Sequence, residues 1–134
     1  MAKCKFKSVL LLDDNPIDNR INYQLIQSSG IAESVIIMER PHEALRYLKQ
    51  RLKTLTNIPD LLFVDLQMPR MNGFEFIDEL INCCGVLRGS FKIIILTSSY
   101  DPYDVQLANE SEFVHMLVHK PLNMMVVSSL IKIA

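Results

Sequence analysis

The sequence has few cysteines, and they are poorly placed for a structural role. Cys4, Cys83 and Cys84 are the only 3 among 134 residues, and an odd number with two adjacent is a poor basis for a disulfide framework. No two of them have the Cys-x-x-Cys spacing of a metal site. A disulfide-rich secreted scaffold is therefore not expected, and reduced thiols fit a cytoplasmic protein.

Long hydrophobic runs and an excess of charge of one sign are also missing. No apolar stretch approaches the length of about 20 residues that spans a bilayer, and the run Val9–Leu12 is too short for a signal-peptide core. Because the formal net charge is only -1, we expect no broad attraction to nucleic acid or to an anionic membrane surface. These absences predict a soluble protein without membrane insertion or direct nucleic-acid binding.

What remains is the composition of an ordinary globular domain. Hydrophobic residues make up 49% of the chain and charged residues 22%, which is typical of folded proteins. The length suffices for one well-covered core. We therefore predict a single domain over residues 1–134, with its core from about residue 8 to residue 133 and no output domain.

Short apolar runs alternate with helix-like segments along the whole chain. Such runs are typical of strands that are buried on both faces of a parallel sheet. The predicted strands are Val9–Leu12, Ser34–Met38, Leu61–Val64, Ile93–Leu96 and Phe113–Val118. The predicted helices are Pro16 to about Gly30, Pro41 to about Leu52, one that begins near Phe74, about Pro102–Asn109, and Leu122–Ile133. Five β–α units in succession predict a doubly wound α/β fold, with helices on both faces of a parallel sheet.

The first helix has clear sequence signals at both ends. Pro16 suits its first turn, and Gly30 suits its end. Its apolar residues recur at helical spacing, and they predict an inner face made of Ile17, Ile21, Leu25 and Ile26.

Reactive side chains follow four of the predicted strands. Asp13 and Asp14 follow the first strand, Asp65 the third, Thr97 the fourth and Lys120 the fifth. Because ligands bind beyond the carboxyl ends of the strands in such sheets, we expect these side chains to converge. Neighbouring carboxylates raise one another's pKa, and a hard cation with oxygen ligands removes that cost. The sequence therefore predicts a Mg²⁺ site at this edge.

The same residue types suit phosphoryl transfer. A carboxylate can attack a phosphoryl group and form an aspartyl phosphate, while a metal neutralises the charge on the transferring oxygens. An ammonium group and a hydroxyl can contact the remaining oxygens. Asp65 is the predicted nucleophile, because it ends the strand expected to be central, between the acidic pair on one side and Thr97 and Lys120 on the other.

Four motifs together resemble a known family. They are Leu-Leu-Leu-Asp13-Asp14-Asn, Val64-Asp65-Leu-Gln-Met-Pro69-Arg-Met-Asn-Gly73, Ile-Ile-Leu-Thr97-Ser-Ser and His119-Lys120-Pro121. In this order and spacing they resemble the receiver domain of bacterial two-component response regulators, over nearly the whole chain from about Val9. The resemblance implies a flavodoxin-like, CheY-like (βα)5 fold with strand order 2-1-3-4-5.

The resemblance also implies a role for each matching residue. Asp65 is similar to the phosphoacceptor, Thr97 to the switch hydroxyl and Lys120 to the lysine that pairs with the phosphoryl group. The implied metal ligands are Asp14, Asp65, Asp13 (directly or through water) and the backbone carbonyl of Gln67. By the same analogy the Lys120–Pro121 bond is expected to be cis, and Gly73 to fit the tight start of the third helix.

One position departs from the family pattern. The family usually carries an aromatic residue three positions before the lysine, where its rotamer couples to the threonine. This chain has Leu117 there, preceded by Met116, and Phe113 is further back. The residues at the predicted site therefore match the family pattern. The way in which phosphorylation would be reported to a partner protein is left open.

The expected function is that of a signalling module rather than an enzyme. A sensor histidine kinase or a histidine phosphotransfer protein would pass phosphate to Asp65, and a monomer or weak dimer would act on a downstream protein by contact. Two alternatives stay open at this point. One is a receiver-like scaffold that binds without phosphorylation. The other is a phosphohydrolase with an aspartyl-phosphate intermediate, although such enzymes show an Asp-x-Asp pattern where this chain has adjacent Asp13 and Asp14.

Overall fold

Strands and helices alternate along the chain as the sequence predicts. The computed structural model describes residues 6–84 and 91–133. Its strands are β1 Phe6–Leu12, β2 Ala32–Met38, β3 Leu61–Asp65, β4 Lys92–Thr97 and β5 Val114–His119. Its helices are α1 Pro16–Ser29, α2 Pro41–Thr54, α3 Gly73–Cys84, α4 Pro102–Glu110 and α5 Met124–Ser129, followed by a 3₁₀ turn at Leu130–Ile133. Within these described ranges no helix has the length and apolar character to cross a bilayer.

The five strands form one parallel sheet in the order β2-β1-β3-β4-β5, which confirms the predicted fold. The order reverses between β1 and β3, so that the crossover through α1 runs on one side of the sheet and those through α2, α3 and α4 run on the other. Strand β3 lies in the centre, with β1 and β4 as its neighbours. Asp65, the last residue of β3, is therefore placed between the end of β1 and Thr97 at the end of β4.

Each face of the sheet carries its own hydrophobic core. Helices α2, α3 and α4 cover one face, where Leu10 and Leu12 of β1 are buried. Helices α1 and α5 cover the other, where Val9 and Leu11 are buried. Because alternate residues of a strand point to opposite faces, burial on both faces explains the continuous apolar runs in β1, β3 and β4.

Local side-chain contacts fix the helix starts nearest to the carboxyl edge. Asn15 caps α1, and its Oδ1 accepts the backbone N–H of Ile17 at 2.9 Å and that of Asp18 at 3.2 Å. Asn72 and Glu75 form a reciprocal capping box at α3, in which each side chain accepts the other residue's backbone N–H. These caps satisfy donors that a helix leaves free, and they hold the loops that carry the acidic residues.

The predicted inner face of α1 is wrong at two positions. Ile17 and Ile21 are 67% and 52% exposed, whereas Asn19 and Asn22 are buried beside Ile26. The Asn19 side chain donates to the backbone carbonyl of Asp13 at 2.8 Å. A buried carbonyl at a strand end needs a donor, and an apolar side chain cannot supply one. Polar residues therefore occupy the inner side of this helix.

Candidate metal and phosphoryl site

Three carboxylates meet at the carboxyl edge of the sheet. Asp13 and Asp14 lie on the loop after β1 and Asp65 ends β3; one oxygen of each lies within 4.8 Å of the others. Asp13 and Asp65 are buried, while Asp14 is exposed. An all-carboxylate set that is open on one side suits a hard divalent cation that keeps part of its water shell. The donor set therefore fits Mg²⁺.

Burial makes the charged form of Asp65 costly. Loss of solvent and the nearby charge of Asp13 raise the pKa of Asp65 from 3.8 to about 7, although Lys120 acts in the opposite direction. In the absence of a cation, a large share of Asp65 is therefore protonated near neutral pH. A bound cation favours the carboxylate, which is the form that can act as a nucleophile.

Lys120 binds three carboxylates at once. Its Nζ lies 2.8 Å from Asp13 Oδ2, 3.0 Å from Asp18 Oδ2 and 3.1 Å from Asp65 Oδ1. Burial would lower the pKa of Lys120, but the hydrogen bonds to Asp13 and Asp18 and the charges of Asp13 and Asp65 raise it above its usual value. Lys120 is thus a fixed positive charge in contact with Asp65.

The backbone around Lys120 holds it at this edge. Its N–H donates to the carbonyl of Thr97 at 2.8 Å, and the bond to Pro121 is cis, as the family resemblance implied.

Asp18 was not among the predicted site residues. The signal for it was present, because an acidic residue in the first turn of a helix that begins at Pro16 must lie near the same edge of the sheet.

Thr97 is completely buried at the end of β4. Its hydroxyl oxygen accepts the backbone N–H of Ser99 at 2.9 Å. A hydroxyl that accepts one hydrogen bond still has its own hydrogen to donate. Thr97 is therefore tied to the β4–α4 loop through one interaction and retains a donor for another.

Gly73 packs against the backbone of Asp65. A Cβ at this position would lie 2.9 Å from the backbone oxygen of Asp65 and 3.1 Å from Cα of Leu66. The Gly73 N–H also donates to the Leu66 carbonyl at 2.8 Å. The close contact of two backbones requires glycine here. Gln67 lies exposed on the same loop, and its carbonyl as a metal ligand stays a prediction.

An aromatic contact exists beside the site, although not at Leu117. Leu117 pairs with Ile95 in the sheet and packs against the core under α2, α3 and α4. The exposed ring of Tyr100, on the β4–α4 loop, stacks on His119 with centroids 4.3 Å apart and an interplanar angle of 9°. Tyr100 is three residues from Thr97 along the chain, so an aromatic ring lies beside the site on a different segment from Leu117.

Comparison with known proteins agrees with this geometry. The family model for the response regulator receiver domain matches residues 9–132, and the chain belongs to this family. Over 96 residues it is 30% identical to the two-component response regulator ORR1 of Oryza sativa subsp. japonica, a match of 70% of the chain but 41% of that protein. It is 27% identical to the response regulator Rcp1 of Synechocystis sp. over 74% of the chain and 67% of the relative.

A solved structure matches almost completely. The crystal structure of a two-component response regulator from Cytophaga hutchinsonii has a TM-score of 0.88 and 30% identity, and the match covers 96% of each chain. This chain is thus a receiver domain of the two-component type, whose acidic pocket is consistent with a phosphoacceptor aspartate and Mg²⁺ binding.

Proposed function

We propose that this receiver accepts a phosphoryl group on Asp65 from a histidine of a sensor kinase or a histidine phosphotransfer protein, with Mg²⁺ bound. The carrying observation is the buried Asp65 carboxylate, which lies within 4.8 Å of Asp13 and Asp14 and 3.1 Å from Lys120. Asp13, Asp14, Asp65 and the Gln67 carbonyl would hold the cation. When bound, the cation neutralises the charge of the transferring oxygens and aligns them with the acceptor.

The residues divide the chemistry among them. An oxygen of Asp65 attacks phosphorus, the bond between phosphorus and the donor imidazole breaks, and the imidazole retains the electron pair and takes a proton from solvent. Lys120 already contacts Asp65, so its ammonium group can pair with a phosphoryl oxygen without a large movement. The Thr97 hydroxyl donates to another oxygen. Buried charge-assisted hydrogen bonds of this kind are strong.

The new charge on Asp65 would act as a switch. A phosphoryl group carries about −1.5 to −2 near neutral pH, and it attracts the Thr97 hydroxyl. Because Ser99 is bonded to that hydroxyl, movement of Thr97 pulls the β4–α4 loop with it. Tyr100 lies on this loop and stacks on His119. We propose that this stack, rather than a ring at position 117, reports the state of the site to a downstream protein.

The donor protein needs a surface beside Asp65. Ile17 and Ile21 are exposed on α1, whose first turn reaches the site through Asp18. Met125, in the first turn of α5, is 83% exposed, and α1 and α5 are in contact. Exposed apolar side chains on two packed helices offer a surface for protein contacts. They support binding of the phosphodonor protein over α1 and α5.

Intact-protein mass spectrometry tests the proposal. The protein is incubated with Mg²⁺ and acetyl phosphate, beside Asp65→Asn and a matched control, Asp78→Asn, which changes an exposed carboxylate on α3. We expect the parent and Asp78→Asn to gain one phosphoryl group and Asp65→Asn to gain none. No gain in the parent with any donor would instead support the scaffold, and repeated release of phosphate from varied phosphoesters would support a phosphohydrolase.

A further inference from the structure

The ammonium group of Lys120 has three N–H donors, and three carboxylates surround it. Two of these, Asp13 and Asp65, belong to the acidic set that would hold a cation. The third, Asp18, lies 3.0 Å from Nζ and outside that set. Of the three carboxylates that contact Lys120, Asp18 is therefore the one that would not act as a ligand of the cation.

The position of Asp18 is fixed by a closed ring of hydrogen bonds. The backbone N–H of Asn15 donates to Asp13 Oδ1 at 2.9 Å, and Asn15 Oδ1 accepts the N–H of Asp18 at 3.2 Å. Asp18 Oδ2 accepts from Lys120, and Lys120 donates to Asp13 Oδ2 at 2.8 Å. The ring ties the first turn of α1 to the end of β5.

Lysine has a long side chain with large conformational freedom. When Asp13 and Asp65 turn toward a cation and a phosphoryl group, Lys120 loses two of its three anchors. Asp18 can keep the third, so that the ammonium stays above Asp65. The Asp18 side chain is 35% exposed and that of Lys120 is 15% exposed. Because this pair is largely shielded from solvent, it is screened less than a surface ion pair, and Asp18 can hold the ammonium group in place.

We propose that Asp18 is a positioning residue, which holds Lys120 for phosphoryl transfer to Asp65. The inference rests on the proposed function, because it needs Asp65 to be the acceptor. Asp18 touches neither the acceptor nor the proposed metal ligands in this role; it acts through Lys120 alone.

Phosphorylation kinetics test the inference. Gain of mass from acetyl phosphate at saturating Mg²⁺ is followed for the parent, Asp18→Ala and Asp18→Asn. The matched control is Asp104→Ala, an acidic residue in the first turn of α4. We expect Asp18→Ala to lower the maximal rate about tenfold, because misplaced groups lose rate steeply. The half-saturating concentrations of acetyl phosphate and of Mg²⁺ should stay unchanged. Asp18→Asn, which keeps an oxygen acceptor, should recover most of the rate, and Asp104→Ala should match the parent.

A second measurement does not depend on phosphorylation. Side-chain NMR relaxation at Cε of Lys120 is recorded with Mg²⁺ bound. We expect an ordered side chain in the parent and a mobile one in Asp18→Ala.

The outcomes separate the two proposals. A parent that gains phosphate at the same rate as Asp18→Ala, or a Lys120 that is equally mobile in both, overturns the role of Asp18 and leaves the proposed function standing. A faster Asp18→Ala also overturns it, since Asp18 would then compete with the phosphoryl group for Lys120. A parent that gains no phosphate overturns the proposed function, and the kinetic role of Asp18 with it.

Discussion

Replacement of Asp65 by asparagine should stabilise the cation-free protein, and more so as the pH rises. The folded protein raises the pKa of Asp65 from 3.8 to about 7, so between these values the folded state binds more protons than the unfolded state. The free energy of unfolding of the parent therefore falls with increasing pH in this window. Asparagine, which stays neutral, removes that dependence.

The magnitude follows from the two pKa values. A tenfold change in a protonation equilibrium corresponds to about 1.4 kcal/mol. Integrated between the unfolded and folded pKa values, the cost of ionising Asp65 is about 2 kcal/mol at pH 5 and about 4 kcal/mol at pH 8. We expect Asp65→Asn to exceed the parent in stability by these amounts. For a domain of this size, the larger value corresponds to a melting temperature higher by roughly 10–20 °C.

Urea unfolding from pH 5 to pH 8 in the presence of a chelator measures this difference. Asp78→Asn is the matched control and should follow the parent at every pH, because its carboxylate is exposed. Added Mg²⁺ should narrow the gap, since a ligand of the folded state stabilises it by about 2.7 kcal/mol at one hundred times its Kd. A parent as stable as Asp65→Asn at pH 8, or a gap that does not grow with pH, would refute the reasoning.

Three further changes test other parts of the structure. Gly73→Ala should cost about 1–3 kcal/mol in urea unfolding, because its Cβ would lie 2.9 Å from the Asp65 backbone oxygen; unchanged stability would show that the loop yields freely. Ile21→Ser should slow phosphoryl transfer from a phosphotransfer protein about tenfold and leave transfer from acetyl phosphate unchanged, since its side chain is exposed on α1; equal effects on both donors would count against a docking surface there. Tyr100→Ala should leave the mass gain intact but remove the phosphorylation-dependent shift of the His119 ring protons in NMR spectra, and a shift that persists would exclude the stack as reporter.

Much of the architecture could be predicted because it depends on local patterns. A wholly apolar run such as Leu61–Val64 indicates a strand covered on both faces, and the fold then brings all strand ends to one edge. Asp13, Asp14, Asp65, Thr97 and Lys120 stand at strand ends in the sequence and meet in space for that reason. The role of each residue had to be inferred from its chemistry and from the family resemblance, because spacing alone indicates a cation site and not a phosphoacceptor.

The features that the sequence did not predict depend on contacts between distant segments. Apolar spacing placed Ile21 on the inner face of α1, but a strand-end carbonyl needed a donor, and Asn19 took that place. The bond from Asp18 to Lys120 spans 102 residues, and no periodicity reports it. The stack of Tyr100 on His119 likewise joins a loop to a strand, and only the geometry of the folded edge reveals it.

The ring that contains Lys120 also bears on how the chain folds during synthesis. The ammonium group that neutralises Asp13 comes 107 residues later in the chain. At about 5–20 residues per second, a ribosome needs roughly 5–20 s to reach it. Throughout that interval Asp13 and Asp18 of the nascent β1–α1 unit lack the lysine that pairs with them in the folded protein. Lys120, directly after the last strand, thus supplies the counter-charge, and we expect the native arrangement at the carboxyl edge of the sheet to form only after Lys120 has left the ribosome.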